Sequence, residues 1–151
     1  MRFLRTERVD PPVAGGLTLG VMATIRRDIP VTADAAAVWD AVRDFGAAHE
    51  RLVPGVLTST ELDGDARIVT FADGLRVREV IVAVDDEQRR LAYTVVGGVF
   101  DHHNASMQVA EDGHGGTHIV WITDLLPDAS APMVAALVEQ GAAAMQAALA
   151  S

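Results

Sequence analysis

The sequence predicts an α+β domain in which a strongly curved antiparallel sheet of about seven strands wraps round a long C-terminal helix. One observation is a series of six strand-like runs at regular spacing, with the hairpin dipeptides Asp63-Gly64 and Asp73-Gly74 between the first three. The other is an amphipathic helical pattern near the C-terminus. Strands linked by hairpins form an antiparallel sheet, and such a helix covers one of its faces.

The elements before the six runs are a strand and two helices. The first strand is predicted over Ala23–Val31, and Asp34 ends an N-cap segment before a helix over Ala35–Val42. A second short helix is predicted over Phe45–Leu52. The six runs that follow are Val56–Leu62, Ala66–Phe71, Leu75–Val84, Arg90–Val96, Phe100–Ala110 and Thr117–Leu126.

The final helix is predicted to begin after Pro132 and to end at Leu149. Its apolar positions recur at helical spacing, with small residues on the same side; they are Met133, Leu137, Gly141, Met145, Ala148 and Leu149. A helix face this small does not fill the concave side of a curved sheet. We therefore expect a cavity between sheet and helix, mostly apolar with a few polar groups.

Composition excludes several classes of function. The formal net charge of −9 argues against a nucleic-acid surface, and the absence of cysteine excludes disulfides and thiolate chemistry. All 12 cationic side chains are arginine, so Schiff-base lysine chemistry is excluded. No run approaches the roughly 18 apolar residues of a membrane span. The composition predicts a soluble cytosolic domain.

Residues 1–22 differ from the rest of the chain. They contain a turn-rich segment, 9–16, without periodicity, and they lack the apolar stretch of a signal peptide. We interpret them as an N-terminal extension outside the core, and residues 23–151 as a single ligand-binding domain.

Polar residues are concentrated in the segment from Tyr93 to Ser106. Side chains alternate between the two faces of a strand, so His103 falls with the apolar residues Ala105 and Met107 and is predicted to face the helix. Its neighbours are predicted to face outward: His102, Asn104, Ser106 and Gln108.

His103 is the principal candidate for chemistry, as a general base or as a hydrogen-bond donor to a carbonyl ligand. The structural alternative is a buried histidine that is satisfied by Tyr93 or by a backbone carbonyl. His102 and His103 are adjacent on a strand and point to opposite faces, so they do not share a metal ion. His114 and His118 lie near a glycine-rich turn, and no metal site is predicted.

Glu79 is the second catalytic candidate, because it lies on the apolar side of its strand. It either acts as an acid or base, with a pKa raised by desolvation, or forms an ion pair, for which Arg43 is a suggested partner. Tyr93 is predicted to face inward, where its hydroxyl needs a hydrogen-bond partner. The predicted ligand contacts are Tyr93, His49, Trp121, Phe71, Met107, Asn104 and Met145.

Several local segments carry a family resemblance. Ala37-Val-Trp-Asp-Ala-Val-Arg-Asp-Phe-Gly46 with Leu52-Val-Pro-Gly-Val56, and Gly115-Gly-Thr-His-Ile-Val-Trp121, resemble the polyketide cyclase/dehydratase-like branch of the START-like (SRPBCC) superfamily. The resemblance covers roughly residues 23–149 and implies the helix-grip fold, with a ligand cavity under the last helix. Such proteins often carry an aromatic residue where His103 stands, so one wall of the pocket is here titratable.

Three functions remain open at this point. The first is binding of a small hydrophobic or aromatic molecule, with His103, Tyr93 and Glu79 at its polar end. The second is a cofactor-free cyclase or dehydratase in which His103 or Glu79 removes a proton alpha to a carbonyl, and Tyr93 or Asn104 stabilises the enolate. The third is contact with a partner, or with a second copy in a homodimer, through the outer sheet face.

Overall fold

The computed structural model describes residues 23–150. The predicted extension, residues 1–22, lies outside the described residues. Seven strands form one antiparallel sheet in the order β1-β7-β6-β5-β4-β3-β2. The elements are β1 Ala23–Val31, α1 Ala35–Arg43, α2 Ala48–Arg51, β2 Leu57–Asp63, β3 Ala66–Phe71, β4 Arg76–Asp85, β5 Arg90–Val96, β6 His102–Glu111, β7 Thr117–Leu126 and α3 Ala131–Ala148, with a short 3-10 turn over Asp128–Ser130 before α3.

The predicted fold class and order of elements are confirmed. β1, β3, β5 and β7 begin and end at the predicted residues, and most other boundaries differ by one or two residues. The exception is the second helix, which begins at Ala48 and not at Phe45. The chain turns at Phe45, whose N–H donates to the carbonyl of Arg43 at 2.8 Å, so the residues before Ala48 cannot continue a helix.

Helix α1 is fixed at both ends by carboxylates. The side chain of Asp34 accepts a hydrogen bond from the N–H of Ala37 at 2.8 Å and caps the first turn. At the other end, Asp86 in the β4–β5 turn accepts from the indole N–H of Trp39 at 2.9 Å and pairs with Arg43 at 2.8 Å. These contacts hold α1 against the far end of the sheet.

Helix α3 covers the sheet with a face that differs in part from the predicted one. Its buried residues are Val134, Val138, Gly141, Ala142 and Met145. Gly141, Met145 and Leu149 are buried as predicted, and Met133, although 47% exposed, lines the space between the helix and the sheet. Ala148 is exposed, so its assignment to this face was wrong. Val134 and Val138 were not predicted; they pack with Leu125 of β7 in a small apolar cluster.

Gly141 lets α3 lie against the sheet at close range. A Cβ atom at this position would stand 2.8 Å from Cζ3 of Trp121, well inside van der Waals contact. Glycine in a helix interior is destabilising by roughly 1 kcal/mol relative to alanine. Gly141 therefore lowers the helix propensity of α3 but leaves space beside the helix backbone, and the indole ring of Trp121 occupies that space.

The sheet is not continuous between β5 and β6. β6 pairs with β7 from His102↔Leu126 to Glu111↔Thr117, whereas its pairing with β5 ends at Tyr93↔Ala105. β5 nevertheless continues to Val96, where it still pairs with β4. The two strands therefore separate over the last three residues of β5, next to the first residues of β6. We call this opening the β5–β6 gap.

Candidate ligand-binding site

The predicted cavity is present between the sheet and α3, with a volume of about 420 Å3. We call it the inner cavity. Both predicted catalytic residues and five of the predicted ligand contacts lie in its wall: Glu79, His103, Phe71, Tyr93, Met107, Trp121 and Met145. Strand alternation predicted the inward side for Glu79, Tyr93, His103, Met107 and Trp121, and the helical pattern predicted it for Met145.

Two predicted ligand contacts do not line the inner cavity. His49 does not line it; its Nε2 lies 3.4 Å from Oε1 of Glu50, and Ala48 and Leu52 supply this part of the wall. Asn104 lies on the outer face of β6, because it follows the inward-facing His103 by one residue, and it lines the depression on that side.

His103 stands in the β5–β6 gap and replaces a backbone hydrogen bond with a side-chain one. The N–H of Val95 donates to Nδ1 of His103 at 3.1 Å, and the hydroxyl of Thr94 donates to the carbonyl of His103. The sequence had suggested that a structural histidine here would bond to Tyr93 or to a backbone carbonyl. His103 does neither. Its side chain accepts from a backbone N–H.

This hydrogen bond determines the protonation state of His103. Only an unprotonated Nδ1 can accept, so the proton of the neutral ring is on Nε2. Burial, with a smaller contribution from the nearby His102, lowers the pKa of His103 to about 4. At neutral pH the residue is therefore an uncharged ring that offers an Nε2–H as a donor.

Aromatic rings hold the His103 side chain in place. The ring of Phe100 lies 5.1 Å from that of His103 between centroids, and the ring of Tyr93 lies 6.0 Å away. His103 is only 8% exposed. Its orientation is therefore set by packing as well as by the hydrogen bond from Val95.

Glu79 forms a buried ion pair, but with Arg67 and not with the suggested Arg43. Nε of Arg67 lies 2.7 Å from Oε1 of Glu79, and the two residues are directly opposite each other on β3 and β4. Arg43 pairs instead with Asp86 on the surface. Of the two alternatives for Glu79, the ion pair is present, and the suggested partner Arg43 was wrong.

Arg67 is the residue of this site that sequence reasoning missed. Its guanidinium lies 4.1 Å from the ring centroid of Phe45 and 5.6 Å from that of Tyr93, and it donates to the carbonyl of Phe45 at 3.2 Å. The guanidinium of Arg67 thus interacts with the carboxylate of Glu79, with one carbonyl and with two aromatic rings. The pair adds no net charge to the cavity wall.

Tyr93 lies between this ion pair and His103. Burial raises the pKa of its phenol, and the negative charge of Glu79 raises it further, so the hydroxyl stays protonated. The hydroxyl oxygen accepts from the indole N–H of Trp121 at 3.3 Å, which leaves the hydroxyl proton available to donate. The wall therefore presents two neutral donors, the Tyr93 hydroxyl and the His103 Nε2–H.

A second depression of about 630 Å3 lies on the other side of the sheet. We call it the outer cleft; its polar lining residues are Thr94, Asp101, His102, His103, Asn104 and Asp124. Ser106, predicted to belong to an exposed polar surface with these residues, is buried. The polar part of the outer face is therefore smaller than the sequence suggested and centres on the β5–β6 gap.

Two absences hold for residues 23–150. No three His, Asp or Glu side chains in this range converge as a metal site would require. Within the same range no helix is long and apolar enough to cross a membrane.

The fold and the cavity define a helix-grip protein with a hollow, mostly apolar interior. Residues 22–151 match the family described as polyketide cyclase / dehydrase and lipid transport, which is nearly the whole chain. The chain belongs to this family, as its sequence resemblance suggested. No curated protein matches it.

Solved structures show the same fold. An uncharacterised protein from Bacillus thuringiensis is 19% identical with a TM-score of 0.76, over 84% of this chain and 98% of that one. A protein from Thermobifida fusca is 28% identical with a TM-score of 0.68, over 83% and 89%. A norcoclaurine synthase point mutant from Thalictrum flavum, in complex with a transition-state analogue, is 21% identical with a TM-score of 0.66, over 85% and 94%.

Proposed function

We propose that the protein binds a small hydrophobic or aromatic molecule in the inner cavity. The observation that carries this proposal is an internal space of about 420 Å3 with its neutral donors on one wall. Ligand sites typically occupy roughly 300–1,000 Å3 and combine an apolar lining with a few polar groups that fix orientation. Phe71, Met107, Trp121 and Met145 supply the apolar lining here.

The polar wall favours a ligand with a hydrogen-bond acceptor at one end. The His103 Nε2–H and the Tyr93 hydroxyl are both donors, and the adjacent Arg67–Glu79 pair is neutral as a unit. Three arginines line the cavity: Arg67 is buried and paired with Glu79, and Arg76 and Arg78 are exposed and paired with Glu61 and Asp63. A carboxylate ligand would therefore enter a site whose cations are already paired, which is costly where the site is buried. An uncharged carbonyl or similar acceptor fits this wall better.

A cofactor-free enzyme of the cyclase or dehydratase type is a second candidate, favoured by the buried carboxylate of Glu79 in the cavity wall. The hydrogen bond from Val95 gives His103 a donor's role, so Glu79 would act as the base, with His103 and Tyr93 stabilising an enolate. Exchange of the methyl protons of acetylnaphthalene with deuterated water, catalysed by the protein, would favour this candidate over binding alone.

Binding is tested by filling the cavity from its helix wall. Leu137 is half-buried on α3 and lines the cavity, whereas Gln140 on the same helix is exposed. We expect ethylnaphthalene to bind the unmodified protein in calorimetry, and Leu137→Trp to weaken binding by about tenfold or more because the indole takes up ligand space. The control Gln140→Trp should bind normally. Equal affinities in the two variants, or no binding to the unmodified protein, would contradict the proposal.

A further inference from the structure

We propose that the inner cavity and the outer cleft are two compartments of one ligand site, joined through the β5–β6 gap and separated by the side chain of His103. The ligand class that fits is an elongated amphiphile whose apolar body lies in the inner cavity and whose uncharged or cationic end lies in the outer cleft. This inference rests on the proposed binding function and extends it to the opposite face of the sheet.

The inner cavity and the outer cleft share a wall. Five residues line both of them: Val95, Val96, Gly97, Phe100 and His103. A complete sheet would separate the two sides with a backbone ladder. Here the ladder between β5 and β6 ends at Tyr93↔Ala105, and beyond it the strands are joined through the side chains of Thr94 and His103.

A single side chain closes this wall. The His103 ring is tied to β5 by one hydrogen bond, from the N–H of Val95, and otherwise by ring contacts. Rotation of the ring would break that bond and the ring contacts, and a polar ligand can supply a new acceptor for the Val95 N–H. The backbone next to His103 adopts the left-handed conformation that favours glycine, with Gly97 and Gly98 at φ of 78° and 71°.

The outer cleft is lined by polar and acidic side chains. Its side chains include the hydroxyl of Thr94, the amide of Asn104 and the carboxylates of Asp101 and Asp124. Two carboxylates disfavour a phosphate or a carboxylate in the same cleft. A hydroxyl or an amine can donate to them, so the expected ligand end is an alcohol, a polyol or an amine.

The test uses four probes with the same naphthyl body. Ethylnaphthalene is short enough for the inner cavity alone, whereas naphthylhexanol, naphthylhexylamine and naphthylhexanoate also carry a chain and a polar end. Asn104→Phe fills the outer cleft without touching the inner cavity, since Asn104 lines only the former. Gln108→Phe is the matched control, on the same strand and face but outside both spaces.

We expect the alcohol and the amine to bind the unmodified protein more tightly than ethylnaphthalene, and the carboxylate to bind more weakly than the alcohol. Asn104→Phe should reduce alcohol and amine affinity by about tenfold, the equivalent of one or two lost hydrogen bonds, while ethylnaphthalene and the control variant stay unchanged. Circular dichroism checks that both variants are folded.

The two proposals fail in different ways. If ethylnaphthalene does not bind the unmodified protein, the proposed function is wrong. If it binds and Asn104→Phe leaves the affinities of the alcohol and the amine unchanged, the inner cavity is the whole site and the two-compartment inference is overturned. Nuclear Overhauser contacts from the chain methylenes of naphthylhexanol to the His103 ring are expected, and their absence in a saturated complex would also overturn it.

Discussion

β6 is held in different ways by its two neighbours. Towards β7 the backbone pairing runs without interruption from His102↔Leu126 to Glu111↔Thr117. Towards β5 it ends at Tyr93↔Ala105, and two side chains, Thr94 and His103, make the remaining connections. The first junction depends on backbone geometry alone, whereas the second depends on which residues stand there.

This difference explains why a histidine stands at position 103. Where a ladder is complete, inward side chains can be apolar, as Ile119 and Leu125 are on β7. Where it is interrupted, a side chain must satisfy the free backbone group, and His103 does so for Val95. The other polar groups of the wall, Arg67 and Glu79, lie in the complete ladder between β3 and β4, so the gap accounts for His103 alone.

The largest expected effect on stability comes from the buried Arg67–Glu79 pair, which lies on the side of β5 away from β6. Arg67→Ala leaves Glu79 buried without a partner and removes the guanidinium from the Tyr93 ring, so we expect the free energy of unfolding to fall by about 3–5 kcal/mol. The control Arg43→Ala breaks the exposed pair with Asp86 and should cost less than about 1 kcal/mol. Urea denaturation measures both; similar losses would mean that the buried pair does not support this side of the sheet.

A smaller effect is expected from acidification of the gap. The pKa of His103 is about 4 in the folded protein, below its ordinary 6.5, because of burial. Between these values the unfolded chain binds a proton that the folded chain does not, so stability falls as the pH falls through this window. His103→Gln keeps an acceptor for Val95 but does not titrate.

Between about pH 6.5 and 4, the free energy of unfolding of His103→Gln should therefore fall less steeply with pH than that of the unmodified protein. The difference in slope should correspond to at most one bound proton per molecule. His114→Gln, in the exposed β6–β7 turn, serves as the control and should follow the unmodified curve. Parallel curves for His103→Gln and the unmodified protein would show that the folded ring titrates normally.

The smallest expected effect is a difference in hydrogen exchange, measured in the unmodified protein. It compares the β5–β6 junction with the β6–β7 junction directly. The amide of Val95 is bonded to a single side chain, whereas the amides that join β6 and β7 lie within a continuous ladder. We expect Val95 to exchange roughly ten times faster or more than the slowest of those amides, since local opening at the gap costs less than opening the ladder. Equal protection would make the gap as rigid as the ladder.

The fold and much of the site could be predicted because the relevant signals are local. Hairpin dipeptides gave the order of strands, and alternation gave the inward face of β6, with His103 and Met107, and of β7, with Trp121. Helix faces are less secure, because successive residues differ by only about 100° and a broad face takes in neighbouring positions. Val134 and Val138, next to the predicted Met133 and Leu137, were missed for this reason.

Arg67 could not be found in this way because its importance depends on strand register. A two-residue loop at Asp73-Gly74 would place Arg67 opposite Val80, whereas the observed register places it opposite Glu79. The N–H of Phe71 donates to the carbonyl of Leu75, and the N–H of Gly74 donates to the carbonyl of Phe71, so the loop contains the three residues 72–74 and is one residue longer than the dipeptide suggests. The β5–β6 gap was hidden for a similar reason, since alternation predicts faces and not the point at which pairing stops.

Tyr93 has a practical consequence beyond its hydrogen bond with Trp121. It is the single tyrosine of the 151-residue sequence, so every phenolic absorption or vibrational signal of the protein originates from one known position in the cavity wall. The chain thus carries an intrinsic optical label at the place where a ligand would sit. Occupancy can be followed without attaching any dye to the molecule.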